Sequence, residues 1–250
     1  MDLSWVLILV PMGIMFGVGI YYLCQAMQRA RFTRNLDKLL SRPEESEPSP
    51  AELTLGLSLF EQPCRWLAVR GEHLQAVQDA LHLHHVMPCS WAEGLTEAHE
   101  DKLFIAPPVS GWILVVGLGL PDPSDDVDRC FHFLSDLSRK LGVLQFFDVN
   151  RVLNYHSWVS MEKGHVQRAY AWAEKTLWNQ GTMTAPEREL EMHCYDYGSE
   201  LVFMQRDALS ANIEKVTQLA AQWSIDPSSI PETNWSMAGI VGEISSSWTK

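Results

Sequence analysis

Hydrophobic and polar positions divide the chain into stretches of different character. Leu3 to Cys24 reads LSWVLILVPMGIMFGVGIYYLC, and no charge interrupts the chain between Asp2 and Arg29. A helix of that length reaches about 33 Å, enough to cross a hydrocarbon core. Trp5 lies near one end, and Tyr21 and Tyr22 near the other, where aromatic rings favour the membrane interface. A membrane anchor is therefore expected over 1–24. Then 25–59 begins with a basic collar and runs into SRPEESEPSPAE (41–52), whose Pro, Ser and Glu predict a solvated linker.

From about residue 60 the pattern becomes that of a folded domain, expected over 60–230. RWLAV (65–69) predicts a strand, and Leu74, Val77 and Leu81 mark one face of a helix over 72–83. Ser90 and Glu93 form a capping-box pattern at the start of a short helix to His99. Strands are expected at 103–106 and 112–116. The clearest helix runs from Asp125 to Leu141, with Val127, Cys130, Phe131, Leu134, Leu137 and Leu141 recurring at helical spacing. Ser124 or Asp125 is expected to cap it, with Gly142 ending it.

Three strands follow at 143–149, 153–161 and 166–172, the last two joined by a turn at 162–164. Alternation in the last places Val166, Arg168, Tyr170 and Trp172 on one face, opposite Gln167, Ala169 and Ala171. A final helix spans 207–223 with Leu209, Ile213, Val216, Leu219, Ala220 and Trp223 inward. The Ser-rich tail, 231–250, is expected to dock loosely or not at all. Consecutive strands between helices predict an α+β fold with a largely antiparallel sheet.

Charge distribution sharpens this picture. The net charge is −12, yet residues 1–42 carry five Lys and Arg against two Asp. The remainder carries 14 against 29, a balance of −15. So acidic a surface repels phosphate backbones and excludes nucleic acid as an expected partner. Arg29, Arg31, Arg34 and Lys38 flank the anchor on one side only, which predicts an outward N-terminus and a cytoplasmic domain on the inner or cytoplasmic membrane. Gly13 and Gly17 form a GxxxG that would let two anchors pair as a homodimer.

Candidate chemistry is sparse. Cys24, Cys64, Cys89, Cys130 and Cys194 show neither a disulfide framework nor a CxxC zinc spacing. His82, His84 and His85 cluster without a third ligand fixed by spacing. Asp122, Asp125, Asp126 and Asp128 lack the glycine and glutamate of a calcium loop, and helix capping accounts for them. VVGLGLPDP holds Gly117 and Gly119 but no Walker lysine. No cofactor or metal is expected. Arg168 between Tyr170 and Trp172, with Trp158, is the strongest candidate for partner binding, weighed against a structural role in which the Arg pairs a carboxylate or stacks on Trp.

The segments CRWLAVR (64–70), ALHLHHVMPCSWAEGL (80–95), VSGWILVVGLGLPDP (109–123), LSRKLGVLQFFDVNRV (137–152) and the stretch 155–189 resemble an uncharacterised family of bacterial proteins. The likeness covers Arg65 to about Gly198, with Trp158 to Gly181 its most specific part. It carries no activity across. In style the domain is similar to small α+β immunity-type domains, which bind and neutralise toxins. The expectation is thus a membrane-tethered module binding a basic protein partner without catalysis. The alternative is a hydrolase or transferase using Cys89 or Cys194 with a distant His, or paired carboxylates.

Overall fold

A computed structural model describes residues 64–98, 102–198, 206–227, 230 and 237–244, all within one unit, Pro48–Lys250. The anchor residues Trp5, Gly13, Gly17, Tyr21 and Tyr22, and the linker, lie outside the described residues. Among the described residues no helix is long and apolar enough to cross a membrane.

The elements follow in the order β1 (Cys64–Arg70), α1 (Leu74–Leu81), β2 (His84–Cys89), α2 (Trp91–Glu97), β3 (Lys102–Ile105), β4 (Trp112–Val116), α3 (Val127–Leu141), β5 (Val143–Asn150), β6 (Tyr155–Glu162), β7 (His165–Ala173), β8 (Lys175–Gln180), α4 (Ala185–Glu189), α5 (Arg206–Trp223) and β9 (Gly239–Glu243). The strands make one sheet of order β2-β9-β3-β4-β1-β5-β6-β7-β8, antiparallel at every pairing. The fold is α+β with a large antiparallel sheet, as the consecutive strand signals imply.

Helices cover both faces of the sheet. This explains why β4 (WILVV) is buried at every position. On one face Leu67, Val69, Ile113, Val115, Phe146 and Val159 meet α1 and α3 through Val77, Leu81, Phe133 and Leu134. Each such large side chain contributes about 1.5–3 kcal/mol by leaving water. On the other, Trp66 stacks on Phe147 at 5.1 Å, and Phe147 meets Trp223 of α5 at 5.9 Å. Trp66, Trp91 and Trp158 are fully buried, so these tryptophans fill core.

Several elements depart from the sequence reading. The cap of α3 is Asp126, whose carboxylate accepts from Arg129 N at 2.9 Å. Ser124 and Asp125 belong instead to a turn closed by Asp122. A bulge between β6 and β7 pairs Ser160 with Arg168 but Met161 with Val166. That extra residue turns Val166 toward the α3 face, away from Arg168. The tail contributes β9, which inserts between β2 and β3.

Two glycines make that insertion fit. Phe104 of β3 sits edge-on to Trp91 at 5.3 Å. A Cβ on Gly94 of α2 would lie 2.1 Å from its ring, and one on Gly239 of β9 would lie 2.4 Å away. Helix propensity alone favours Gly94→Ala by about 1 kcal/mol. Overpacking costs about 1–3 kcal/mol and should win. Gly94→Ala is therefore expected to lower stability in denaturant unfolding; an increase would mean that Phe104 relaxes freely.

Candidate functional site

Charged residues inside apolar strands must find partners, and two such residues organise the polar parts of this domain. The first is Arg168 in β7. It shares a face with Tyr170 and Trp172, as the alternation of β7 implies, and with Trp158 of β6, which pairs with Tyr170. All four are buried, at 1, 0, 3 and 0% exposure. The cover is the segment after β8, including α4. That face is not presented to a partner in this structure, and Arg168 takes the structural role instead.

Its guanidinium is matched on every nitrogen. Nε donates to Glu187 Oε1 at 2.8 Å, and Trp158 Nε1 donates to the same oxygen at 2.8 Å. Nη1 donates to Ala169 O, Asn179 Oδ1 and Gln180 O, and Nη2 to Cys194 Sγ at 3.1 Å. Glu187 is fully buried, and its second oxygen accepts from Thr184 N and Oγ1 in a capping box. A buried charge pair so saturated fixes geometry more than it adds stability.

The second is Arg65 in β1, beside its strand partner Asp148 of β5. Its Nη1 donates to Leu118 O at 3.1 Å and Leu120 O at 2.9 Å, and its Nη2 pairs with Asp122. Nε lies 3.4 Å from Asp148 Oδ2, an ion-pair distance without hydrogen-bond alignment. Arg65 thereby pins the loop between β4 and α3. In front of that loop opens a groove of about 690 Å³. Asp122, Asp125, Asp126 and Glu243 line it, together with Arg65, Lys102 and Arg129.

Burial pushes the Asp148 carboxyl up to about 7; Arg65 pulls it down, while Asp122 and Asp125 add to the rise. Burial alone takes His156, on the neighbouring strand, down to about 3. Its Nε2 lies 3.3 Å from Asn212 Nδ2.

The thiols do not resemble nucleophiles. Burial raises Cys194 to about 12 despite Arg168 beside it. Burial raises Cys89 to about 11, with Glu93 and Glu97 adding to the shift. A reactive thiol needs the reverse, an electropositive setting. Nor do the clustered histidines converge. His82 ends α1 in a left-handed conformation beside Lys140, while His85 occupies the β2 bulge beside Glu243. Among the described residues no group of His, Cys, Asp and Glu could hold a metal ion.

Sequence reasoning passed over Arg65, Asp148, Ser157 and Glu187. A usable signal existed for three of them: Arg65 and Asp148 each interrupt an apolar strand (CRWLAVR, VLQFFDVN), and Glu187 stands three residues after Thr184 in a capping-box pattern.

Removing Glu187's charge should strand Arg168 in the core. Glu187→Gln is expected to cost about 3–5 kcal/mol in chemical unfolding; a loss under 1 kcal/mol would mean that water reaches the guanidinium.

Asp148 and His156 oppose each other in pH dependence. The raised Asp148 lets the folded state keep a proton that the unfolded chain releases near its ordinary 3.8. Its stabilisation is full at low pH and is lost as pH rises through about 7. The lowered His156 stabilises fully above the ordinary 6.5, and that is lost as pH falls toward about 3. Relative to the parent chain, Asp148→Asn should make stability climb more steeply with pH between about 4 and 6.5, and His156→Gln should make it fall. Thermal unfolding across that window checks both; parallel profiles would refute the assignment.

Compared with known proteins, the chain matches no family model, no curated protein and no solved structure.

Proposed function

We propose that this chain is a membrane-tethered, non-catalytic binding module of regulatory or immunity-like kind, facing the cytoplasm and taking a basic protein partner at the groove in front of the β4–α3 loop. The anchor and basic collar supply the tether, and Gly13 and Gly17 allow the tethers to pair. The observation that carries the contact surface is the groove itself. Four carboxylates line it beside three cations, Arg65, Lys102 and Arg129, on a portion of the chain whose balance is −15. Asp125 and Asp126 are exposed at its rim. Arg65 is already engaged by Asp122 and two carbonyls, and Lys102 by Glu97.

Such a surface attracts cations and steers a basic partner more than it sets raw affinity. The placement of Arg168, Tyr170, Trp172 and Trp158 in the interior moves the proposed contact away from them. The competing hydrolase reading draws no support from Cys89 or Cys194, which burial keeps protonated.

The test uses the full chain in lipid nanodiscs with a lysine-rich decapeptide as probe. Binding should weaken about tenfold between 50 and 300 mM salt. Asp125→Asn with Glu243→Gln should weaken it about three- to tenfold at low salt. Glu162→Gln with Glu189→Gln, the same charge change on exposed residues that do not line the groove, should leave it near the parent value. Equal losses in both pairs would reduce the effect to net charge and remove the groove from the proposal.

A further inference from the structure

Beside the β4–α3 loop, Asp148 faces a separate and much smaller space, which Pro123 and Ser124 of that loop also line. The strand partner of Asp148 on β6 is Ser157. Ser157 is 2% exposed, yet its Oγ has no protein hydrogen-bond partner. A hydroxyl that far from bulk water costs about 1–3 kcal/mol if left unmatched. Between Asp148, Ser157 and Ser124 lies a small space of about 10 Å³, bordered also by Tyr155, His156, Trp172 and Leu177.

That volume holds about one water-sized molecule, and the lining supplies the two to four polar contacts a buried water needs. Of the five polar residues that line it, Asp148, Ser157 and Ser124 differ in what they offer. Asp148 accepts. Ser157 accepts or donates by rotating its hydroxyl. Ser124 Oγ already donates to Asp122 Oδ1 at 2.6 Å and keeps free lone pairs. A metal cation of the same size fits less well. The Arg65 guanidinium lies 3.4 Å from the Asp148 carboxylate and balances its charge.

We infer that this cavity is a specific site for one ordered water, bridging Ser157 Oγ to the Asp148 carboxylate. The water extends a polar chain from Arg65 through Asp148 to Ser157, joining β1, β5 and β6 side by side. It also gives Asp148 a hydrogen-bond donor that favours its ionised form. Ser157 thereby acts on Asp148 through the water, as a positioning residue.

A crystallographic map of the full chain at about 1.5 Å should show one water within hydrogen-bond distance of both Ser157 Oγ and an Asp148 oxygen. A direct Ser157–Asp148 hydrogen bond, or a dry cavity, would overturn the inference. Carboxyl-carbon NMR on the aspartate-labelled chain gives a second readout, with the Asp148 signal assigned by its absence in Asp148→Asn. Ser157→Ala should raise the Asp148 titration midpoint by about half a unit or more, because the donor that the hydroxyl holds in place is lost. An unchanged midpoint in a folded Ser157→Ala chain would show that no such bridge exists.

Discussion

A guanidinium taken out of water needs partners, and this domain is arranged around two: Arg168, bonded on every nitrogen, and Arg65, bonded on both terminal nitrogens with Nε at ion-pair distance from Asp148. Arg168 gathers Glu187, Asn179, Cys194 and the carbonyls at the end of β8. In doing so it fixes α4 over the sheet. Arg65 gathers Leu118, Leu120 and Asp122, and so shapes the wall of the acidic groove. Each arginine stands on a strand and holds a loop. The sheet is covered on both faces, and these charged bonds tie the loops to it.

The two clamps differ in their reserve of charge. At Arg168, one carboxylate meets one guanidinium, and Trp158 and Thr184 supply neutral donors to that carboxylate. At Arg65, Asp122 and Asp148 share a single guanidinium, with Asp125 close by. The first arrangement is closed and structural. The second sets two carboxylates against one guanidinium and borders the groove.

Much of this architecture was legible in the chain. The helix period of α3, the capping box at Ser90 and the apolar strands β1, β4 and β5 announce themselves through packing that is local in sequence. Other elements were hidden for physical reasons. β2 is an exposed edge strand carrying Pro88 and a bulge, so it has no buried face to imprint alternation. β9 (GIVGE) owes its form to neighbours, since Gly239 is small because Phe104 fills its space. The helix α4 did leave a mark, Thr184 with Glu187 three residues on and a proline between. The pairings Arg65–Asp148 and Arg168–Glu187 depend on register and on a covering segment, which no single window reveals.

The position of β9 has a consequence for the order of assembly. β2 and β3 are neighbours in sequence, yet they never pair; each bonds to a strand from more than 130 residues later. Until that late strand arrives, β2 has no hydrogen-bonded attachment to the sheet, and β3 shows an open edge. This closure over more than 130 residues therefore completes an edge of the sheet built from the early strands β2 and β3. In the interval, the bare edge of β3 is the surface most prone to wrong pairing between chains.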